Sequence, residues 1–262
     1  MARVIAVVNQ KGGVGKTTTA VNLGAYLASQ GKFVLLVDMD PQANATSGLG
    51  VDHRALDRGI YEALLGTVPM RAIVQPTAHD GYRVAPATTA LAGAGVELVS
   101  VPDREYRLRD ALVPLRSDYD FIIIDCPPSL GILTVNGIVG ADEVLIPVQA
   151  EYYALEGLGQ LMNTIELVRE HLKPNLKILG AVITMFDPRT KLATEVLEEL
   201  YKFFPQGMFR SVVPRNVRLA EAPSFGQSIL SFDPDSKGAN AYARLAREIL
   251  ETDHVIESVV QP

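Results

Sequence analysis

The sequence predicts an α/β fold, a mostly parallel, twisted sheet with helices on both faces. Three observations predict it. Continuous apolar, β-branched runs recur along the chain, as in strands buried on both faces. Helix-length patterns lie between them, so successive strands are joined by crossovers. No internal repeat, low-complexity tract or Pro/Gly/Ser-rich linker divides the 262 residues, so a single domain over 1–262 is expected.

Taken in order, residues 4–8 (Val-Ile-Ala-Val-Val) make the first strand, 16–29 a helix and 33–37 (Phe-Val-Leu-Leu-Val) the second strand. The stretch 48–95 has weak periodicity and many turn residues, and reads as a helical excursion plus one edge strand. A helix at 105–115 leads to a strand at 121–124 (Phe-Ile-Ile-Ile), and a helix at 130–140 to a strand at 144–148 (Val-Leu-Ile-Pro-Val). Beyond these come a helix at 155–172, a strand at 178–184, a helix at 192–203, a short strand at 211–213 (Ser-Val-Val) and a last helix at 238–251.

Composition narrows the function. With 48% hydrophobic and 21% charged residues the chain can bury a full core, which excludes global disorder. Its one cysteine, Cys126, excludes a disulfide framework and an all-cysteine metal or iron–sulfur site within one chain, and fits a reducing, cytoplasmic compartment. No apolar run approaches the roughly 18 residues of a membrane span, and the run at 4–8 is too short for a signal-peptide core. Lys and Arg number 24 against 30 Asp and Glu, a net charge of −6 that taken alone argues against a nucleic-acid partner.

The first strand runs into Asn9-Gln10-Lys11-Gly12-Gly13-Val14-Gly15-Lys16-Thr17-Thr18 and then a helix. Glycines let consecutive backbone N–H groups converge on phosphate, and the helix N-terminus adds positive potential. Lys16 is expected to reach the β- and γ-phosphates and the Thr17 hydroxyl to ligate magnesium, with Gly12, Gly13, Val14, Gly15 and Thr18 completing the cradle. Two carboxylates end the second strand in Val37-Asp38-Met39-Asp40, and at i and i+2 they share one side of an extended chain. A third, Asp125, ends the run Phe121-Ile122-Ile123-Ile124 and is the candidate Walker B residue, holding a magnesium-bound water. Strand carboxyl ends are where open α/β sheets bind ligands.

The loop departs from G-x-x-x-x-G-K-[ST] in having Gln10 where the first glycine falls, followed by the extra lysine Lys11. In this it resembles the deviant Walker A family of P-loop NTPases, which includes ParA/Soj partition ATPases, MinD and the nitrogenase iron protein. The resemblance implies that Lys11 crosses a nucleotide-sandwich dimer to the partner subunit's phosphates. That would act as a cation supplied in trans, like an arginine finger. It also implies that Asp40 orients the attacking water and that Asp38 supports magnesium and loop geometry. A single cysteine does not fit the iron protein. The net acidic stretch Arg244-Leu245-Ala246-Arg247-Glu248-Ile249-Leu250-Glu251-Thr252-Asp253-His254, followed by Val255-Ile256-Glu257, does not fit a basic, membrane-binding C-terminal helix of the MinD kind.

Three further runs are similar to the chromosomal ParA/Soj type: Pro41-Gln42-Ala43-Asn44-Ala45-Thr46-Ser47-Gly48-Leu49-Gly50, Pro147-Val148-Gln149-Ala150-Glu151-Tyr152-Tyr153-Ala154-Leu155-Glu156-Gly157, and Val213-Pro214-Arg215-Asn216-Val217-Arg218-Leu219-Ala220-Glu221-Ala222-Pro223-Ser224. By that resemblance Pro214 packs on adenine, Asn216 hydrogen-bonds near it, and Glu151 contacts nucleotide across the dimer; a helix N-terminal carboxylate is an equal reading of Glu151. The loop starts nine residues in, which leaves no room for the N-terminal helix-turn-helix of longer plasmid relatives. The resemblance further implies ATP and Mg²⁺ as cofactors, a weak intrinsic ATPase and an ATP-dependent homodimer. Its other implied partners are non-specific double-stranded DNA and a ParB-like centromere-binding protein that stimulates hydrolysis. The expected location is cytoplasmic and nucleoid-associated, without membrane binding.

Charge is unevenly spread. Residues 169–218 hold 9 basic and 5 acidic side chains, whereas 1–168 hold 12 and 18 and 219–262 hold 3 and 7. The resemblance selects Arg189 and Arg218 in the basic window as DNA contacts, with Arg215 and Lys191 beside them. Two other readings stay open: a positioning ATPase for another cargo, such as a protein organelle or chemosensory cluster, and a metabolic ATPase or synthetase sharing the loop.

Overall fold

The computed structural model describes residues 1–151, 154–204 and 207–259, so Tyr152 and Tyr153 of the 147–157 run lie outside the described residues. Among the described residues eight strands form one sheet: β1 (Arg3–Val7), β2 (Val34–Asp38), β3 (Gln75–Pro76), β4 (Tyr82–Ala85), β5 (Phe121–Asp125), β6 (Glu143–Gln149), β7 (Lys177–Phe186) and β8 (Met208–Pro214). Their order is β3-β4-β2-β5-β1-β6-β7-β8, and only the β3–β4 pair is antiparallel.

Continuous apolar strands bury both faces. Along β1, Val4 and Ala6 point into one core cluster and Ile5 and Val7 into the other, as the two-residue period of a strand requires. Helices α1 (Lys16–Ser29), α2 (Asn44–Gly48) and α3 (Ile60–Leu65) precede β3, and α4 (Ala94–Glu97) and α5 (Arg107–Leu112) lie between β4 and β5. Then come α6 (Ile132–Gly140), α7 (Ala154–His171), α8 (Lys191–Phe203), α9 (Val217–Glu221), α10 (Ile229–Phe232) and α11 (Lys237–Val259). Leu108, Ile138, Leu161 and Leu200 bring α5 to α8 onto one face, while Leu23, Leu27, Tyr242 and Leu245 bring α1 and α11 onto the other.

The 48–95 stretch corrects the sequence expectation of one edge strand. It contributes two, and β4 is interior, parallel to β2, while β3 forms the edge. β3 is two residues long and contains Pro76, which has no N–H for a further ladder bond. β4 is only four residues long and exposes Arg83 in its middle, too little for a periodic signal. The 105–115 helix is also shorter than expected: 3₁₀ turns at Arg104–Tyr106 and Val113–Leu115 flank α5, the second containing Pro114. The last helix runs past residue 251 to Val259.

Register sets up the site. Val7, the last residue of β1, pairs with Asp125 of β5, and Asp125 pairs with Asp38 of β2. Three adjoining strands thus end level, carrying the phosphate loop and two carboxylates to one edge.

Candidate active site

The loop after β1 is held by one bond of its own and by bonds to β6 and β7. Asn9 Nδ2 donates to the Pro147 carbonyl at 2.7 Å and its Oδ1 accepts from the Lys11 N–H at 3.0 Å. The Thr184 hydroxyl donates to the Val14 carbonyl at 2.7 Å and ties the loop to β7. Gly13 (φ 73°) and Gly15 (φ 87°) are left-handed, a conformation that side chains resist. Gly15 caps α1 without any side-chain hydrogen bond, so the first-turn N–H groups remain available for an anion.

Lys16 opens α1 and is buried, with Nζ donating to the Lys11 carbonyl at 3.0 Å. Burial lowers its pKa, and the nearby Asp125 and Asp40 carboxylates oppose that. Lys11 is ion-paired with Glu151 of the same protomer, whose other oxygen accepts from the Gln149 amide. Glu151 therefore stands beside the loop and meets Lys11 within one protomer.

Asp38 is fully buried, and its carboxylate holds the chain that follows. It accepts from the Thr46 N–H at 2.8 Å, the Thr46 hydroxyl at 2.6 Å and the Asp40 N–H at 3.1 Å. Asp38 thus fixes α2 against the strand ends. Asp40 is half-buried and accepts the Gln42 N–H at 2.9 Å. Asp125 differs from both: it is fully buried and neither carboxylate oxygen has a hydrogen-bond partner. The Thr17 hydroxyl is close enough to lower its proton affinity without a well-formed bond. A buried, unpartnered carboxylate is costly and calls for a cation or its water shell. Among the described residues no cluster of three His, Cys, Asp or Glu side chains could cage a metal alone. The donor set instead fits magnesium, which usually keeps its waters and binds through one or two protein oxygens plus substrate phosphates.

Two buried carboxylates stand in register, and both hold protons more tightly than a free carboxylate. Burial pushes the Asp38 pKa up to about 6, against the hydrogen bonds from Thr46 and Asp40. Burial and then the Asp38 charge push Asp125 well above the carboxylate range. In an unfolded chain such groups titrate near 4 (about 3.9). The folded state holds these protons more tightly, so this contribution is present below about pH 4 and is lost as pH rises through about 6. Nucleotide-free protein is therefore expected to melt several degrees lower at about pH 7.5 than at about pH 5.5, at roughly 2–4 °C per kcal/mol. Asp125→Asn should flatten that dependence, since it removes the carboxyl whose proton affinity burial and the Asp38 charge raise most. Thermal unfolding of both proteins at the two pH values checks this, and an unchanged slope in the variant would refute the coupling.

A pocket of about 350 Å³ adjoins the loop, lined by Gly15, Thr18, Pro214, Arg215 and Asn216. Asn216 Oδ1 caps α9 by accepting the Arg218 N–H at 2.8 Å, which leaves its amide N–H groups for a ligand. Met185, Val217, Leu219 and Tyr242 complete an apolar wall that sequence reasoning missed. Met185 adopts φ 51°, unusual for a non-glycine residue, and Val217 is 70% exposed at the rim.

The DNA-contact candidates lie apart from this pocket's floor, and most are already paired. Arg189 chelates Asp187 through Nε at 2.9 Å and Nη2 at 2.7 Å, which holds Asp187 at a pKa of about 2. Arg218 bonds Asp233 and Glu221 and stacks on Phe232, 4.6 Å from its centroid. Lys191 pairs with Glu195 at 3.5 Å. Arg215 is exposed at the pocket edge.

Phosphate-binding N–H groups, a buried lysine and an orphaned carboxylate meet where three parallel strands end level, beside an apolar pocket of nucleoside size. That arrangement defines a P-loop nucleotide hydrolase. The AAA domain family matches residues 2–178. The chain is 54% identical over 253 residues to the chromosome partitioning protein ParA of Myxococcus xanthus, covering 97% of this chain and 89% of that protein. It is 53% identical over 249 residues to the sporulation initiation inhibitor protein Soj of Bacillus subtilis, covering 95% and 98%. Cobyrinic acid a,c-diamide synthase from Mycobacterium smegmatis, solved with bound ADP and magnesium, superposes with a TM-score of 0.85 at 41% identity over 97% of this chain and 96% of that one. The chain belongs to the ParA/Soj family of chromosome-partitioning ATPases. No helix among the described residues is long and apolar enough to cross a membrane.

Proposed function

We propose that this chain is an ATP-dependent, dimerising switch that binds duplex DNA without sequence preference and acts in chromosome or plasmid segregation. A ParB-like centromere-binding partner stimulates its hydrolysis, and it works on the nucleoid. The observation that carries this reading is the pair of lysines, Lys11 and Lys16, around one phosphate loop in a chain whose curated relatives are named for chromosome partitioning.

Lys16 and the N–H groups of residues 12–18 bind the β- and γ-phosphates, and the pocket beside Pro214 and Asn216 takes the adenosine. The Thr17 hydroxyl and Asp125 hold magnesium, with Asp38 behind them keeping α2 in place. Bound there, the ion neutralises charge on the phosphate oxygens. Asp40 orients the attacking water. Lys11 exchanges its pair with Glu151 for phosphates across the dimer, and Glu151 is then free to meet the partner's nucleotide.

A Cβ on Gly12 would meet nothing within 4 Å, so a larger side chain has room inside the protomer. Gly12→Val is accordingly expected to retain nucleotide affinity and to lose ATP-dependent dimerisation, because the loop faces the second subunit. Sedimentation velocity with ATP, ADP and no nucleotide tests both proteins. A wild type that stays monomeric with ATP, or a variant that dimerises like it, would contradict the sandwich. The solved neighbour named a diamide synthase suggests small-molecule chemistry on this fold; a gel shift of unrelated duplexes with each nucleotide separates the readings, since a synthetase would shift none.

A further inference from the structure

Beyond the arginines singled out by resemblance, the molecule carries a second basic surface. A groove of about 520 Å³ runs between the ends of β7 and β8 and helix α11. Phe186, Val212 and Pro214 form its apolar floor, and Lys237, Arg244 and Arg247 line its helical wall. Spacings of seven and three residues place all three cations on one face of α11. All three are exposed, while Tyr242, Leu245 and Ala246 on the opposite face are buried in the core. They are the only basic residues in the acidic segment 219–262.

Their pairing state sets them apart. Arg189, Arg218 and Lys191 each hold a carboxylate, whereas among the described residues Lys237, Arg244 and Arg247 form no ion pair. The one side-chain bond in the row is a long one, from Arg247 Nε to its own helix at the Ala243 carbonyl, 3.3 Å. The nearest carboxylate on α11, Glu248, is turned to the Arg210 N–H and the Ser211 hydroxyl, and the row ends at the exposed Glu251. An arginine that must leave a carboxylate to meet a phosphate gains less than one that is already free.

We propose that Lys237, Arg244 and Arg247 form a contact surface for the phosphate backbone of duplex DNA, in addition to Arg189 and Arg218. This inference rests on the DNA-binding reading above. Ten residues of helix span about 15 Å, over which one strand presents roughly four phosphate charges at 3.4 Å each along the axis. A straight row of unpaired cations suits such a polyanion. The groove shares Pro214 with the nucleoside pocket, and the Arg215 N–H donates to the Phe186 carbonyl at 3.0 Å across β7 and β8. Nucleotide and DNA would therefore meet opposite sides of one strand end.

The test compares wild type with the triple variant Lys237→Gln, Arg244→Gln, Arg247→Gln, and with the charge-keeping triple Lys237→Arg, Arg244→Lys, Arg247→Lys. Affinity of the ATP-bound proteins for a duplex of unrelated sequence is measured over a salt series. The Gln triple should bind roughly tenfold or more weakly, with a salt slope smaller by about 0.9 for each phosphate it no longer neutralises. Nucleotide affinity should be unchanged, and the charge-keeping triple should bind as wild type. In parallel, acetylation of Lys237 in the wild-type protein should be suppressed by duplex in ATP and not in ADP, a readout independent of any variant's folding. Equal affinity and slope in the Gln triple, or Lys237 labelled equally with and without DNA, overturns the inference while leaving the function standing. A wild type that binds no DNA in ATP overturns both.

Discussion

Asp40→Ala is expected to slow ATP hydrolysis by about 10²- to 10⁴-fold, the loss typical of a removed proton-handling or water-orienting group, while nucleotide affinity stays within a few-fold of wild type. The separation follows from the division of labour at the end of β2. Asp38, not Asp40, holds α2 through Thr46, and it receives the Asp40 backbone N–H, which alanine retains. The Asp40 side chain itself holds only the Gln42 N–H, a half-exposed bond whose loss costs about 1 kcal/mol. The segment should therefore keep its shape while its hydrolytic group disappears. The variant should accumulate as an ATP-bound dimer on DNA. Single-turnover hydrolysis beside nucleotide binding measures both halves, and a parental rate would remove Asp40 from the chemistry.

Lys16→Ala should act one step earlier and weaken nucleotide binding. A hydrogen bond to a charged group contributes roughly 1.5–3 kcal/mol, and Lys16 is a buried cation placed where α1 begins. Affinity should fall by roughly tenfold to more than a hundredfold, for phosphates and not for adenosine. The sensitive readout is thermal. Ligand at about 100 times its dissociation constant stabilises a protein by about 2.7 kcal/mol, so wild type should gain several degrees from ATP and Mg²⁺ and the variant, at the same ligand concentration, about half of that or less. Undiminished stabilisation in the variant would mean that the phosphates sit elsewhere.

The parts of the site that were legible in the sequence are those built from contiguous residues. The phosphate loop, Asp38 with Asp40, and Asp125 each follow an apolar strand within a few residues, so strand, turn and side chain can be read together. Sequence alone does not reveal that Asp38 and Asp125 stand in register, because that depends on β5 lying between β1 and β2. The nucleoside pocket was half legible. Pro214 and Asn216 come from one turn, but Met185 and Tyr242 arrive from a strand and a helix far along the chain. The 48–95 stretch failed for a physical reason: its strands are two and four residues long, shorter than any period can register. Charge failed similarly. The acidic sum over 219–262 concealed three cations on one helix face, while the basic window 169–218 counted arginines that Asp187, Asp233 and Glu221 largely neutralise.

A nucleotide-gated hold on DNA is the central claim, and fluorescence anisotropy of a labelled duplex of arbitrary sequence tests it most directly. Wild-type protein is titrated with ATP and Mg²⁺, with ADP and Mg²⁺, and without nucleotide, each over a salt series. Binding should be strong only in ATP, should weaken steeply as salt rises and should not depend on the duplex sequence. Equal affinity in all three states, or none in any, would contradict the switch.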